Sequence, residues 1–145
     1  METQRLVARN EGGLQVKELW RTPKALNSVI PSPLVYQGHV YVVRNGGILL
    51  TLEAESGRIV REARITGAIG GYSASPVAAE GRIYLANEEG QVAVISAGEN
   101  WEVLSVNDLD EPIYGTPALS KGAIFVRTSQ TLYCFARQAD KDHQR

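Results

Sequence analysis

Cysteine is nearly absent. One residue, Cys134, stands in a chain of 145, which excludes an intrachain disulfide and any metal site built from several thiolates. Histidine is almost as scarce. His39 and His143 each lack a second histidine nearby, and metal sites need clustered ligands. No charge of one sign dominates: fifteen basic residues face sixteen acidic ones. No electrostatic field is therefore available to hold nucleic acid or an anionic membrane. No apolar run approaches the roughly 18 residues of a membrane span. The start, Met1-Glu2-Thr3-Gln4-Arg5, is polar with no apolar run behind it, so no signal peptide is expected. No helical period is sustained over ten residues. No glycine-rich loop leads into a helix, so no phosphate cradle is expected. Ser28, Ser73 and Ser129 lack a Gly-x-Ser-x-Gly setting and an assignable base, which leaves nucleophilic catalysis without support.

What is present is a repeat. Ser32-Pro33-Leu34-Val35-Tyr36-Gln37-Gly38-His39-Val40-Tyr41 returns as Ser75-Pro76-Val77-Ala78-Ala79-Glu80-Gly81-Arg82-Ile83-Tyr84. It returns again as Thr116-Pro117-Ala118-Leu119-Ser120-Lys121-Gly122-Ala123-Ile124-Phe125. The prolines are 43 and then 41 residues apart. A period of about 40–50 residues filled with short strands marks propeller blades. A closed propeller needs at least four blades, and here there are three. The expected fold is all-β: blades of four antiparallel strands, in a partial propeller or a ring completed by oligomerisation. A chain of this length normally buries about 68–70% of its unfolded surface as one domain.

The spacing predicts a partial propeller over 1–137: a half blade at 5–20, blades at 33–63, 76–105 and 117–135, then a polar tail at 138–145. In the first blade Gln37-Gly38 and Arg44-Asn45-Gly46-Gly47 carry residues that tolerate positive φ, as tight turns require. Outer strands are expected at Arg58 to Ala63 and Trp101 to Ser105. The middle strands are nearly continuous apolar runs, such as Val40-Tyr41-Val42-Val43 and Ile83-Tyr84-Leu85-Ala86. Such runs fit strands covered on both faces. Stacked blades provide that cover; a two-sheet sandwich would show cleaner alternation. Arg5 to Arg9 and Leu14 to Trp20 read as two outer strands of an earlier blade. Leu14 to Trp20 is also a candidate to complete the last blade, within the chain or between chains. Neither terminal repeat carries a polar strand face to act as a cap. An isolated arc would expose apolar faces and strand edges. The missing neighbours are expected from the rest of a longer protein or from self-association.

The repeats resemble the pyrroloquinoline-quinone-like (PQQ-like) β-propeller repeat family. That family includes quinoprotein dehydrogenases and the propeller lipoprotein of the outer-membrane protein assembly machine. Leu52-Glu53-Ala54-Glu55-Ser56-Gly57-Arg58-Ile59-Val60 looks like the family's Leu-Asp-x-x-Thr-Gly-Lys turn. Arg127-Thr128 and Leu132-Tyr133-Cys134-Phe135 look like closing strands of its non-enzymatic members. The resemblance covers roughly residues 5 to 136 and implies the C-terminal blades of a seven- or eight-bladed ring. It points to a periplasmic or exported parent. There are departures. The family's docking tryptophan is Arg61 here, its aspartate is Glu53, and the second repeat has only Ser96-Ala97-Gly98-Glu99-Asn100. Tryptophan stacking between blades is therefore not expected at Arg61, and Trp20 and Trp101 are expected on outer strands. The quinone enzymes use adjacent cysteines, an aspartate base, and carboxylate plus amide ligands to calcium. One cysteine is not a pair, and no acidic cluster has calcium-loop spacing. No catalytic, metal or cofactor residue is assigned, and fold does not imply function.

Cys134, between Tyr133 and Phe135, reads as a small buried core residue rather than a reactive thiol. Asp108-Leu109-Asp110-Glu111 reads as a solvated connector. Loop length is the remaining clue. The connectors Thr22 to Ser32, Thr66 to Ser75 and Val106 to Thr116 are long. They should share one face with the turns at Arg44-Asn45, Asn87-Glu88 and Thr128-Ser129. Binding residues concentrate on loops held by a rigid scaffold. Asn27, Arg44, Tyr72, Asn87 and Tyr114 are the candidates on that face. The expected function is a non-catalytic module for protein binding or scaffolding. Its partner would be another protein or further blades, through blade faces and strand edges. The alternative is a piece of a quinoprotein-like oxidoreductase whose cofactor site lies elsewhere.

Overall fold

The computed structural model describes residues 2–9, 13–22 and 30–136, with side chains from Lys17 onward. The turn 10–12, the connector 23–29 with Asn27 and Ser28, and the tail 138–145 with His143 lie outside the described residues. Thirteen strands and no helix occupy what is described. β1 (Glu2–Arg9) and β2 (Gly13–Arg21) form a hairpin. The first full blade is β3 (Leu34–Tyr36), β4 (His39–Arg44), β5 (Ile48–Glu53) and β6 (Ile59–Arg64). The second is β7 (Val77–Ala79), β8 (Arg82–Ala86), β9 (Gln91–Ser96) and β10 (Val103–Asp108). The third is β11 (Ala118–Ser120), β12 (Ala123–Arg127) and β13 (Leu132–Ala136). Each sheet is an antiparallel meander, four-, four- and three-stranded, and none closes on another. The architecture is a partial β-propeller. β2 pairs with β1, not with β13, so closure of the last blade by Leu14 to Trp20 within the chain is not adopted.

The repeat motif explains itself locally. Gln37-Gly38, Glu80-Gly81 and Lys121-Gly122 all have both residues at positive φ. Two such residues make the hairpin turn whose twist matches its flanking strands. The hydroxyl residue before each proline has a second use. The Ser32 amide donates to Ser75 Oγ at 2.8 Å, and the Ser75 amide donates to Thr116 Oγ1 at 3.0 Å. The same position in three successive repeats is thus joined into one ladder across the blades.

Packing follows the apolar runs. β4 and β5 are buried over their four central residues. Tyr41, Val43 and Leu49 face the second blade, where they meet Ile83, Leu85, Ala93, Ile95 and Trp101. Val40, Val42, Leu50 and Leu52 face the other way and pack with Trp20. Each such side chain is worth roughly 1.5–3 kcal/mol when fully buried, so both neighbours matter to the first blade. A smaller cluster of Ala74, Ala86, Val92, Ile113 and Val126 joins the second blade to the third. The third blade is thinner. β13 has no outer strand among the described residues. Cys134 pairs with Phe125, which pairs with Ala118. That face points away from the second blade and is uncovered. Cys134 is therefore exposed, which corrects the expectation of a buried thiol.

The docking of blades also corrects the expectation for Trp101, while Trp20 lies on β2 as expected. Trp20 donates its indole N–H to the Ala54 carbonyl at 2.9 Å and lies on Gly57. Trp101 is not in the ladder. It precedes β10 and is buried between the first and second blades, donating to Thr51 Oγ1 at 3.1 Å. Arg61 of β6 reaches across to the same residue. Its guanidinium lies 4.2 Å from the indole centroid and donates to the Trp101 carbonyl at 2.8 Å. A cation–π contact and a carbonyl bond thus clamp the first two blades at Arg61. Tyr36 and Tyr41 finish the seam by accepting the amides of Gly81 and Gly98 at 2.9 and 2.7 Å.

Arg61→Ala should lower stability by about 1–3 kcal/mol, from the lost carbonyl bond and ring contact. Urea unfolding would measure it, and an unchanged midpoint would refute the clamp. Gly57 has φ +71, and a Cβ there would lie 2.3 Å from the Trp20 ring, whereas Gly81 at φ +73 faces open space. Gly81→Ala should cost the left-handed strain alone, roughly 1–2 kcal/mol. Gly57→Ala should cost more and shift tryptophan emission to the red, as Trp20 is unseated.

Candidate functional site

The long connectors are built onto the turns that they cross. In the first, the Ile65 amide donates to the Gly47 carbonyl and the Gly46 amide to the Gly70 carbonyl, both at 2.7 Å. The Tyr72 amide donates to Asn45 Oδ1 at 2.9 Å, and the Glu88 amide to the Gly71 carbonyl at 2.9 Å. Ser73 donates its hydroxyl to Glu88. The second connector repeats the plan one blade on. The Leu109 amide donates to the Gly90 carbonyl and the Ser129 amide to the Pro112 carbonyl, each at 2.9 Å. Glu111 accepts the hydroxyls of Thr128 and Thr131. These two connectors share one face with the turns that they cross.

The candidate residues take different places on that face. Tyr72 and Asn87 are buried together. Tyr72 donates its hydroxyl to the Ala68 carbonyl at 2.7 Å. Asn87 closes the turn after β8: its amide donates to Gln91 Oε1 and its Oδ1 accepts the Gln91 amide. Both side chains hold the connector from beneath and present no surface. Arg44 lies one residue before Asn45 and pairs with Glu62 across the β5 hairpin. Tyr114 is 56% exposed and points outward, while Ile113 beside it anchors the loop in the core. Asn27 lies outside the described residues.

Sequence reasoning missed the carboxylates that fasten the loops, Glu88 and Glu111, and the outward Ile69, which is 57% exposed. Position was the available signal: Glu88 sits in a β-turn and Glu111 four residues after Asn107. Among the described residues, no three histidine, cysteine or acidic side chains gather as metal ligands. Glu88 and Glu111 are engaged with hydroxyls. The outward side chains include the large apolar Ile69 and Tyr114 and the acidic Glu89 and Asp110.

Burial, helped by the Glu89 carboxylate, raises the Tyr72 phenol far above its ordinary value, against a smaller opposing effect of Asn87. Burial also raises Tyr41, partly offset by the Gly98 amide. An unfolded tyrosine ionises near pH 10. Above that pH the unfolded chain binds fewer protons than the folded one, so stability falls as pH rises. Urea stability should be flat in these groups below about pH 10 and decline above it. Tyr72→Phe should be less stable at neutral pH by about 1 kcal/mol yet show a shallower alkaline decline. An equal slope would place the titration elsewhere.

No family model matches the chain. Over 78 residues it is 30% identical to the outer membrane protein assembly factor BamB of Escherichia coli strain K12, and equally to that of Shigella dysenteriae. The match takes in 54% of this chain and spans about a fifth of those relatives, 19%. The fold is similar to the crystal structure of BamB from Moraxella catarrhalis, with TM-score 0.65 and 19% identity over 81% of this chain and 36% of that one. It is also similar to quinohemoprotein alcohol dehydrogenase ADHIIG from Pseudomonas putida HK5, with TM-score 0.55 and 16% identity over 71% and 17%. By repeat motif, sequence likeness and fold, the chain is related to the PQQ-like β-propeller repeat proteins.

Proposed function

We propose that this chain is a non-catalytic propeller module acting in protein binding or scaffolding. The observation that carries the reading is the state of the connector face. Glu88, Glu111, their hydroxyl partners and the buried Asn87 amide are spent on holding loops, and the outward side chains include the large apolar Ile69 and Tyr114 beside exposed Glu89 and Asp110. A rigid face of this kind suits a protein surface better than a reaction. The likeness to an outer membrane protein assembly factor supports the same reading. Uncovered Leu132 and Phe135 on β13, at 68% and 45% exposure, add a strand edge to the contact surface. The likeness in fold to a quinohemoprotein dehydrogenase supports a second reading, a piece of an oxidoreductase whose cofactor site lies outside this chain.

Two measurements separate them. The module should associate with rising concentration in light scattering, and should bind a dye for apolar surface. A monomer at all concentrations with no dye-accessible surface would refute the binding reading. Titration with pyrroloquinoline quinone and calcium should give no saturable signal in this chain or in any longer parent; saturable binding with dye reduction would favour the oxidoreductase.

A further inference from the structure

The turn between β4 and β5 carries a reactive dipeptide. Of the six asparagines in the chain, Asn45 alone is followed by glycine. The side-chain carbonyl carbon of an asparagine is open to attack by the backbone nitrogen of the next residue. Glycine, with no Cβ, gives that nitrogen its freest approach. Asn45 is exposed, so water and hydroxide reach it. Both reacting groups are nevertheless occupied. The Gly46 amide, which would supply the attacking nitrogen, donates to the Gly70 carbonyl at 2.7 Å. Asn45 Oδ1, on the carbon that would be attacked, accepts the Tyr72 amide at 2.9 Å.

Both bonds come from the connector that follows β6. That segment is fastened by its own anchors rather than by the turn. Ile65, Ala68 and Tyr72 are buried in the cluster between the first two blades, while Thr66, Gly67 and Ile69 among them are exposed. The connector sits close on the turn: a Cβ on Gly47 would lie 2.5 Å from the Ala68 carbonyl oxygen. Asn87, in the turn of the next blade, is restrained differently. It precedes Glu88, is buried, and is bonded within its own turn to Gln91. Asn45 depends instead on a segment 27 residues away in the sequence.

We propose that Asn45-Gly46 is a site of spontaneous covalent modification, latched by the docked connector and released when the connector lifts. With the Gly70 and Tyr72 bonds broken, the Gly46 nitrogen loses its proton to hydroxide and attacks Asn45 Cγ. The N–Cγ bond forms, the Cγ–Nδ2 bond breaks, and Nδ2 takes a proton from water and leaves as ammonia. Water then opens the succinimide ring. Cleavage of the new N–Cγ bond gives aspartate. Cleavage of the original peptide bond between the two residues gives isoaspartate, whose main chain runs through Cβ and Cγ. No oxidant or reductant takes part. Aspartate still accepts the Tyr72 amide. Isoaspartate adds a carbon to the main chain of a tight turn, so the Gly46 and Tyr72 bonds no longer fit together and the connector does not redock. A brief opening is thereby recorded as a lasting loss of this part of the connector face. The chemistry does not depend on what that face binds.

The full chain is incubated in warm, mildly alkaline buffer beside a free peptide of residues 42–49, Val-Val-Arg-Asn-Gly-Gly-Ile-Leu. Peptide mass after digestion and methylation by an isoaspartyl methyltransferase read the product at residue 45. The folded chain should be modified at least about tenfold more slowly than the peptide. Gly47→Ala crowds Ala68 and leaves Asn45 and Gly46 in place. It should raise the rate several-fold, in step with hydrogen exchange of the Gly46 amide. If that variant fails to fold, the unaltered chain in dilute urea gives the same reading: modification and Gly46 exchange should rise together before the global transition. Chains carrying isoaspartate should exchange the Tyr72 amide quickly, whereas Asn45→Asp should keep that exchange slow. Modification of the folded chain as fast as the peptide would overturn the latch. So would modification that begins only at the global transition, or Gly46 exchange that quickens while the modification rate stays where it was.

Discussion

Sheets that are apolar on both faces have to lie between two others. β4 and β5 bury their four central residues, with Tyr41, Val43 and Leu49 on one side and Val40, Val42, Leu50 and Leu52 on the other. No single neighbour satisfies both sets. The strands are therefore committed to a stack, and stacking short twisted sheets edge-inward produces the propeller arrangement. The hydroxyl–proline ladder and the tyrosine–glycine amide bonds are consequences of that commitment. They satisfy backbone groups that the stack would otherwise bury without partners.

The seam between the first two blades shows how one device replaces another. A tryptophan docks by area and by one indole hydrogen bond. Arg61 has neither the area nor the apolar face of that ring. It compensates by donating to a carbonyl while its guanidinium plane covers an indole supplied from the opposite blade. The ring and the cation come from opposite blades, and Thr51 completes the clamp by accepting the indole N–H.

Much of the fold was legible because it rests on local chemistry with a fixed period. The residue–glycine turns require positive φ, the hydroxyl–proline pairs recur at nearly constant spacing, and the paired apolar runs announce cover on both faces. The strand at Val103–Asp108 was read two residues early, since Trp101 leaves the ladder to fill the seam. Cys134 was misread for a related reason. An apolar strand looks the same whether or not its outer neighbour is present, and β13 lacks that neighbour among the described residues. The connector face was legible as a location and not as a set of contacts. Tyr72 lies in a long connector and Asn87 in the turn beneath it, but their burial depends on Ala68, Asn45 and Gln91 folding over them. No sequence pattern announces those three partners.

The contrast between the two seams carries the last step. The first is closed by side chains from both blades, and Tyr36, Tyr41 and Trp101 each make a hydrogen bond across it. The second is closed near the connector face by Ala86, Ile113 and Val126 but opens toward the short turns, where Ala79 stands in for a tyrosine. A blade packed firmly at one end and loosely at the other has its weakest cohesion at the loose end. On that blade β13 pairs only with β12 among the described residues, so the third blade is held to the second chiefly through the apolar cluster at its connector end.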